Sequence, residues 1–235
     1  MPNISDLPVA LVTGASSGMG REIARDLGRT HRVILVGRDA ARLADAVQAA
    51  GPNAEGWQLE LTDFAAVADR VALLDRLDVV VHAAAIGGNL AVHEASTDDW
   101  SRYFAINVTA PATLTKHALP LVRASQGTVV FIGSGASTRP VPGSALYAAS
   151  KHALKAVADV LRIDEEPHFV RVATVAPGQT DTAMLRGMTS ADRYRPELYI
   201  QPSSVAQAVR YVVDAPADVQ ITDVAVRPRR EVARI

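Results

Sequence analysis

Residues 9–20 read VALVTGASSGMG and join a short apolar run to three glycines with the spacing GxxxGxG. The apolar run is typical of a strand that is buried on both faces of a parallel sheet. Glycines directly after such a strand permit a tight turn, a close approach of the backbone to a pyrophosphate, and close packing of the next helix. The N–H groups at the start of that helix then bind the anion. The stretch therefore predicts a strand, a phosphate-binding loop and a helix; a Gly-rich turn without a ligand is the alternative.

Further apolar runs alternate with Ala-rich segments along the rest of the chain. The runs lie at 33–36, 79–81, 128–132, 170–175 and 221–226, with a weaker one at 57–61. Helical spacing of apolar residues marks 20–29, 40–50, 64–74, 98–125, 145–163 and 203–213, with Asp39 and Ser203 as predicted N-caps and Gly51-Pro52 as a stop. Strands that alternate with helices form right-handed βαβ units. We therefore predict an α/β fold, a single-domain Rossmann-type doubly wound parallel sheet of about seven strands with helices on both faces, over residues 1–235.

The composition indicates a globular protein without an electrostatic signature for a polyanion. Hydrophobic residues make up 49% of the 235 positions, and 24 Lys and Arg residues stand against 25 Asp and Glu residues. This near-balance predicts neither a nucleic acid nor an anionic membrane as a partner. The chain has no cysteine, which excludes disulfides, thiolate catalysis and cysteine metal sites, and we expect no metal. No apolar run approaches the roughly 20 residues that span a bilayer, and the first eight residues do not resemble a secretory signal, so we expect a cytoplasmic protein.

Tyr147 and Lys151 are the candidate chemical groups. They stand four residues apart in a predicted helix, so their side chains share one face about one turn apart. A phenol has an unperturbed pKa of about 10. A nearby positive charge lowers that pKa, and the tyrosine can then carry a proton between a hydroxyl and a carbonyl. Such a pair is weak evidence alone, but Ser134 lies thirteen residues before Tyr147 and the glycine loop lies upstream.

The glycine pattern, an Asn on a middle helix, and then Ser, Tyr and Lys in that order resemble the classical short-chain dehydrogenase/reductase (SDR) family over essentially the whole chain. The resemblance implies hydride transfer between a nicotinamide cofactor and a carbonyl or secondary alcohol. It places Asn107, Ser134, Tyr147 and Lys151 at the catalytic positions. Tyr147 would exchange a proton with the substrate oxygen and Ser134 would hydrogen-bond it. Lys151 would lower the tyrosine pKa and hold the ribose, and Asn107 would connect Lys151 to solvent through a water.

Two of these residues have alternative readings. Ser134 could be only a small turn residue between two glycines. Asn107 stands in an apolar segment, where an amide needs a partner. It could therefore serve only to fix two strands through a backbone bond.

The resemblance also implies a cofactor cleft along the carboxyl ends of the strands, with Thr182 at the nicotinamide carboxamide. The positions that it assigns to the cofactor are Gly14, Ser16, Ser17, Gly18, Met19, Gly20, Arg38, Glu60, Leu61, Ala83, Ala84, Tyr147, Lys151, Pro177, Gly178, Thr180 and Thr182.

The end of the second strand favours NADP(H). A carboxylate there would bind the adenosine ribose of NAD, whereas a nearby arginine accommodates the 2′-phosphate of NADP. Gly37 leaves the position empty and Arg38 follows, whose planar fork can bind phosphate bidentately. A solvated loop charge is the alternative for Arg38. Ser17 stands where NADP-preferring relatives often carry a basic residue, so NAD(H) and an NAD-dependent alcohol dehydrogenase of the same family remain possible.

Two segments depart from the family pattern. His82-Ala83-Ala84-Ala85 replaces Asn-Asn-Ala-Gly, and Glu60-Leu61 replaces Asp followed by an apolar residue. His82 either supplies one lost hydrogen bond or is an ordinary buried histidine. We expect both changes to alter the affinity for the cofactor more than the chemical step. They leave a non-catalytic NADP(H)-binding sensor or scaffold as a rival function, against which the intact Ser, Tyr and Lys argue.

Residues 183–202 correspond to the family's substrate lid and are short for one, so we expect a rather open site. Apolar and aromatic residues there suggest a small to medium hydrophobic ketone, aldehyde or alcohol as the small-molecule substrate. The alternative is that half of them anchor the loop to the core; they are Met184, Leu185, Met188, Tyr194, Tyr199 and Ile200. The family commonly assembles through its middle helices, so we expect a homo-oligomer, either a dimer or a tetramer.

Overall fold

The computed structural model describes residues 6–230, and its centre is one sheet of seven parallel strands. The strand order is β3-β2-β1-β4-β5-β6-β7, so the chain changes direction across the sheet between β1 and β4. This arrangement confirms the predicted Rossmann-type doubly wound sheet. The strands are β1 Val9–Thr13, β2 Arg32–Gly37, β3 Ala54–Gln58, β4 Val79–His82, β5 Thr128–Ile132, β6 Arg171–Pro177 and β7 Asp223–Val226.

Helices cover both faces of the sheet. One apolar cluster joins the strands to α1, α2 and α8, and a second joins them to α3, α5 and α6. The helices are α1 Gly18–Leu27, α2 Ala40–Ala50, α3 Phe64–Val71, α4 Thr97–Phe104, α5 Ala110–Ala124, α6 Ala145–Glu165, α7 Ala183–Met188 and α8 Pro202–Val213. No helix between residues 6 and 230 is both long and apolar enough to cross a membrane.

The predicted helix at 98–125 is two helices with a π-helical turn, Ala105–Thr109, between them. Pro111 lies in the first turn of α5. A proline has no N–H and cannot donate the bond that an uninterrupted α-helix would place on the carbonyl of Asn107. Wider turns of this kind are frequent at functional sites. Here the turn carries Asn107 itself.

Two smaller predictions of element ends were wrong. The helix at 203–213 begins at Pro202, with Gln201 rather than Ser203 at its N-cap, because the fixed φ of proline suits the first helical position. The weak seventh strand lies at Ala54–Gln58 rather than 57–61. It pairs with β2 and ends opposite Gly37, where β2 also ends. By contrast, the Asp39 carboxylate accepts a hydrogen bond from the Arg42 N–H at 2.9 Å, as expected of an N-cap.

Candidate active site

The glycine loop lies directly against the backbone that follows β4. Gly14 has a φ of +64°, and a Cβ there would stand 2.7 Å from the Cα of Ala84. A Cβ at Gly20 would stand 2.4 Å from the carbonyl oxygen of Gly14. Ser17 at the N-cap of α1 makes no side-chain capping bond, so the first N–H groups of this helix keep their capacity for an external acceptor. The loop thus has the close approach and the donors that a pyrophosphate needs.

An open cleft runs from this loop along the carboxyl ends of the strands to α7. Twelve of the predicted cofactor residues line it: Gly14, Ser16, Ser17, Gly18, Met19, Gly20, Arg38, Glu60, Leu61, Ala83, Ala84 and Thr182. Sequence reasoning missed other lining residues, among them Arg42, Ile86 and Ile106, whereas it had placed Met184 in the lid. Arg42 could have been found, since it lies in the first turn of the helix that the predicted N-cap Asp39 begins.

The remaining predicted cofactor residues do not line this cleft. Tyr147 and Lys151 lie on α6, Pro177 ends β6 and Gly178 follows it. Thr180 is buried, and its hydroxyl donates to the Gly178 carbonyl at 3.1 Å. That bond keeps the Thr180 hydroxyl within the turn. The structure gives Thr180 a local hydrogen bond, and its contact with the cofactor stays a prediction.

Lys151 is buried beneath Tyr147. Its Nζ donates to the carbonyl of Ile132 at 2.8 Å and lies 5.8 Å from the centroid of the Tyr147 ring. Burial lowers the pKa of Lys151 to about 8. Desolvation raises the pKa of Tyr147, and the hydrogen bond with the Ser134 hydroxyl opposes that rise. The net direction is thus opposite to the expected lowering of the tyrosine pKa by Lys151, because desolvation is the larger effect.

Ser134 is both a turn residue and a partner of the phenol. Its Oγ accepts a hydrogen bond from the Ala136 N–H at 3.1 Å, and its own N–H donates to Ser137 Oγ at 3.1 Å. These bonds fix the loop after β5 and hold the hydroxyl against Tyr147. The structure thus brings Ser134, Tyr147 and Lys151 together.

Asn107 is fully engaged by the backbone and by one hydroxyl. Its Oδ1 accepts from the Ile86 N–H at 2.9 Å, and its Nδ2 donates to the Ile86 carbonyl at 2.9 Å and to Ser150 Oγ at 3.0 Å. Among residues 6–230 no hydrogen bond joins Asn107 to Lys151. Asn107 therefore fixes backbone, and its connection to Lys151 through a water stays a prediction. The backbone is the segment after β4, which it joins to α6, rather than a second strand.

His82 is a hydrogen-bonded core residue. Its Nε2 lies 2.8 Å from Thr115 Oγ1, and its ring stacks on Phe131 with centroids 4.8 Å apart. Burial lowers the pKa of His82 to about 3, so the ring is neutral at pH 7. The histidine thus joins the altered segment to α5 by one side-chain hydrogen bond.

Thr13 supplies further hydrogen bonds to the altered segment. Its Oγ1 accepts from the N–H groups of Ala83 and Ala84 at 3.1 and 3.2 Å. Thr13 lies opposite His82 in the β1–β4 pairing. Sequence reasoning missed this residue, because its role depends on that register.

Arg38 and Glu60 form an ion pair at the outer end of the cleft. Arg38 Nη1 lies 3.3 Å from Glu60 Oε2, and the two side chains are 67% and 44% exposed. A second pair, Arg42 with Asp39, stands beside it at 3.1 Å. Exposed pairs of this kind contribute about 0–1 kcal/mol each. A phosphate dianion can therefore replace Glu60 as the partner of Arg38 at little cost.

The segment at 183–202 reaches the site through α7 and is anchored at its far end. Met184 Sδ would lie 2.9 Å from a Cβ at Gly87, and the Tyr147 ring would lie 3.6 Å from the same point. Tyr199 and Ile200 are 7% exposed each, so these two anchor the segment to the core. The apolar residues of the segment are thus divided between the cleft and the core.

Within residues 6–230 no group of three His, Asp or Glu side chains could hold a metal ion.

Many known proteins are similar to this chain in sequence or in structure. The short chain dehydrogenase family model matches residues 8–193. An uncharacterized short-chain type dehydrogenase/reductase of Sinorhizobium fredii is 32% identical over 232 residues, 95% of this chain and 92% of that protein. An NADP-dependent 3-hydroxy acid dehydrogenase of Shigella flexneri is 30% identical over 234 residues, 94% of each. The closed form of a serine dehydrogenase complexed with NADP+ superposes with a TM-score of 0.85 at 29% identity, over 93% of this chain and 94% of that one.

Proposed function

The chain belongs to the short-chain dehydrogenase/reductase family and is an NAD(P)-dependent oxidoreductase, and we propose that it uses NADP(H) to interconvert a carbonyl and a secondary alcohol on a hydrophobic substrate. One observation carries the proposal. The Ser134 hydroxyl lies close enough to the Tyr147 phenol to oppose the rise of its pKa by desolvation, and Lys151 Nζ lies 5.8 Å from the centroid of the same ring. A protein that only bound the cofactor would not need these three groups together.

The charges at the outer end of the cleft support NADP(H) over NAD(H). Arg38 and Arg42 both line it, and Gly37 ends β2 without a carboxylate. A Cβ at Gly37 would stand 3.0 Å from Ser16 Cβ, so a longer side chain has little room there. The Shigella flexneri relative is NADP-dependent by name, and the serine dehydrogenase structure holds NADP+.

Tyr147 can act as the proton donor, and Ser134 can stabilise the charge that develops on the substrate oxygen. Desolvation keeps the Tyr147 phenol protonated at neutral pH, so its O–H can donate to a carbonyl oxygen. The Ser134 hydroxyl would hydrogen-bond the same oxygen and stabilise the charge that develops on it. Lys151 would stabilise the phenolate that remains after the proton has left. Bound NADPH supplies the hydride.

We further propose that residues 1–235 act as one catalytic domain, with 183–202 as the lid, and that the protein is a homo-oligomer. Met184 beside Tyr147 supports an apolar substrate surface. Exposed apolar side chains on and after α6 support assembly, since Val160, Ile163 and Phe169 are 56%, 64% and 72% exposed.

A panel of ketones and aldehydes with NADPH and, separately, NADH tests the proposed function through the nicotinamide absorbance. We expect turnover of apolar carbonyl compounds with a higher kcat/KM for NADPH. Cofactor binding without turnover across the panel would favour a sensor or scaffold. A higher kcat/KM with NADH would contradict the assignment of Arg38.

A further inference from the structure

Three polar side chains meet at the base of the segment 183–202. The Asp181 carboxylate accepts hydrogen bonds from Arg186 Nε at 3.1 Å and from Arg186 Nη2 at 2.8 Å, and the Tyr194 hydroxyl donates to the same carboxylate oxygen. Arg186 Nε also donates to the Tyr194 hydroxyl at 3.1 Å, and the guanidinium carbon lies 5.7 Å from the centroid of the Tyr194 ring. Asp181, Arg186 and Tyr194 thus form one cluster, which we call the lid clamp.

The acceptor of the lid clamp is shielded from water. The side chain of Asp181 is 13% exposed, whereas that of Arg186 is 61% exposed. The hydrogen bonds from Tyr194 and Arg186 hold the pKa of the Asp181 carboxyl below its usual range, so the carboxylate is charged at neutral pH. Hydrogen bonds to a charged acceptor contribute more than neutral ones. The lid clamp therefore differs from an isolated exposed ion pair, which stabilises little.

Backbone hydrogen bonds join the two ends of the same segment. The Asp181 N–H donates to the Ile200 carbonyl at 2.9 Å, and the Ile200 N–H donates to the Gln179 carbonyl at 3.0 Å. The Tyr194 ring packs edge-on against Tyr199 with centroids 5.1 Å apart, and Tyr199 is buried. The segment is therefore a loop with joined ends, and Tyr194 fastens the chain between them to its base.

Helix α7 depends on this loop for its position. It has six residues and none of them is buried, and a helix of this length is marginal without packing. Its N-cap, Thr182, accepts from the Leu185 N–H at 3.3 Å, and Thr182 Cγ2 lies 3.4 Å from a Cβ position at Gly18 in the glycine loop. Met184 Sδ lies beside Gly87. The start of α7 thus spans the cleft from the glycine loop to the segment after β4.

We propose that the lid clamp is a positioning cluster, which holds α7 against both walls of the cofactor cleft through contacts that lie wholly within the chain. Opening of the clamp would carry Thr182 away from the glycine loop and Met184 away from Gly87. Ligands of the cleft would then bind to a smaller population of competent protein. The inference rests on the proposed function, because it assumes that NADPH occupies the cleft.

Trypsin measures closure of the lid without any need for turnover. Arg186 and Arg193 are its cleavage sites within 183–202, and the rate of cleavage follows the population of the locally open form. We expect Tyr194→Phe, which keeps the ring and loses the hydroxyl, to raise the cleavage rate at these two sites by about tenfold without NADPH. Asp181→Asn removes the charge of the acceptor and should act in the same direction. Mass spectrometry of the fragments assigns the sites.

Two conservative changes outside the lid are the matched controls. Tyr211 is a 64% exposed phenol on α8, and Asp218 is an exposed aspartate in the loop that follows this helix. Tyr211→Phe and Asp218→Asn repeat the two chemical changes there and should keep the cleavage rate of the unmodified protein.

The kinetics with NADPH separate positioning from chemistry. With the best ketone of the panel, we expect Tyr194→Phe to raise the KM for NADPH by about tenfold and to keep kcat within about twofold, because the closed form of the loaded protein is the same. Fluorescence titration should show the same rise in the Kd for NADPH.

Two results overturn the proposal. Unchanged cleavage rates in Tyr194→Phe and Asp181→Asn would show that the lid clamp does not hold the lid, and faster cleavage with unaltered NADPH binding would show that it does not position α7 on the cleft. Both would leave the proposed function standing, since the unmodified protein would still turn over ketones. Absence of turnover in the unmodified protein, with the expected cleavage and NADPH titrations, would instead reject the proposed function and leave the lid clamp in place.

Discussion

The side-chain amide of Asn107 closes a pair of hydrogen bonds with the backbone of Ile86, accepting from its N–H at 2.9 Å and donating to its carbonyl at 2.9 Å. The other amide proton reaches Ser150 Oγ on α6 at 3.0 Å. One buried side chain therefore ties the segment after β4 to the helix that carries Tyr147. Asn107 acts on the site through this backbone, so we regard it as a positioning residue.

Replacement of Asn107 should cost substantial stability. Asn107→Ala leaves the Ile86 N–H and carbonyl without their partner in a buried setting, and we expect the free energy of unfolding to fall by about 3 kcal/mol. Ser150→Ala removes one of the Asn107 bonds and the Ser150 bond to the Tyr147 carbonyl, keeps the pair with Ile86, and should cost about 1 kcal/mol. Urea unfolding of both variants gives the comparison. Equal stability of Asn107→Ala and the unmodified protein would show that the pair of bonds does not hold the segment.

Tyr147→Phe should abolish most turnover and spare cofactor binding. The variant keeps the ring above Lys151 and loses only the proton donor, so we expect kcat/KM for ketone reduction to fall by about 10³-fold. The Kd for NADPH, followed by fluorescence titration, should change by less than about threefold. Tyr211→Phe serves as the control for loss of an exposed hydroxyl. Normal turnover in Tyr147→Phe would contradict the proton-donor role.

The pH dependence of kcat/KM for ketone reduction should show the effect of Ser134 on the pKa of Tyr147. Reduction needs the protonated phenol, so kcat/KM should fall as the pH rises through the pKa of Tyr147. The Ser134 hydrogen bond lowers that pKa, and desolvation raises it. Ser134→Ala should therefore lower kcat/KM at pH 7 and move the alkaline fall to higher pH. An alkaline limb that stays in place, or moves to lower pH, would show that this bond does not stabilise the phenolate.

Much of the fold follows from local patterns. The glycine stretch, the helix at Ala40–Ala50 and the strand at Thr128–Ile132 were predictable because strand, turn and helix signals each act over a few residues. The π turn at Ala105–Thr109 was not, since apolar periodicity continues across it. Pro111 is the signal that could have indicated a break there.

The sequence predicted only those parts of the site in which a residue's role does not depend on how strands distant in the sequence pair. The order of Ser134, Tyr147 and Lys151 predicted that they meet. The bonds from Thr13 to the backbone after β4 depend on the pairing of β1 with β4.

Arg38 and Glu60 should have opposite effects on the KM for NADPH. Arg38→Ser removes a cation from the outer end of the cleft, so we expect the KM for NADPH to rise about tenfold and the KM for NADH to change little. Glu60→Gln removes the carboxylate 3.3 Å from Arg38 and should lower the KM for NADPH by about two- to threefold. Steady-state kinetics with both cofactors measures the two effects. A parallel rise of both KM values in Arg38→Ser would mean that Arg38 does not recognise the 2′-phosphate.

Burial of neutral His82 should make the protein less stable in mild acid. Burial lowers its pKa from 6.5 to about 3 in the folded state. Between pH 6.5 and about pH 3, His82 is protonated in the unfolded chain and neutral in the folded chain. The free energy of unfolding therefore falls as the pH falls through this range. The slope is about 1.4 kcal/mol per pH unit for one such group. From pH 7.5 to pH 5, His82 should therefore cost about 2 kcal/mol of unfolding free energy.

His82→Gln isolates this contribution, because the Gln amide reaches the position of His82 Nε2, can still bond Thr115 and does not titrate in this range. The variant should lose about 2 kcal/mol less than the unmodified protein between pH 7.5 and pH 5, whatever its stability at pH 7.5. His31, whose pKa burial also lowers, contributes equally to both proteins and cancels in the difference. Identical acid slopes for His82→Gln and the unmodified protein would mean that His82 accepts a proton without unfolding, and that its bond to Thr115 survives protonation.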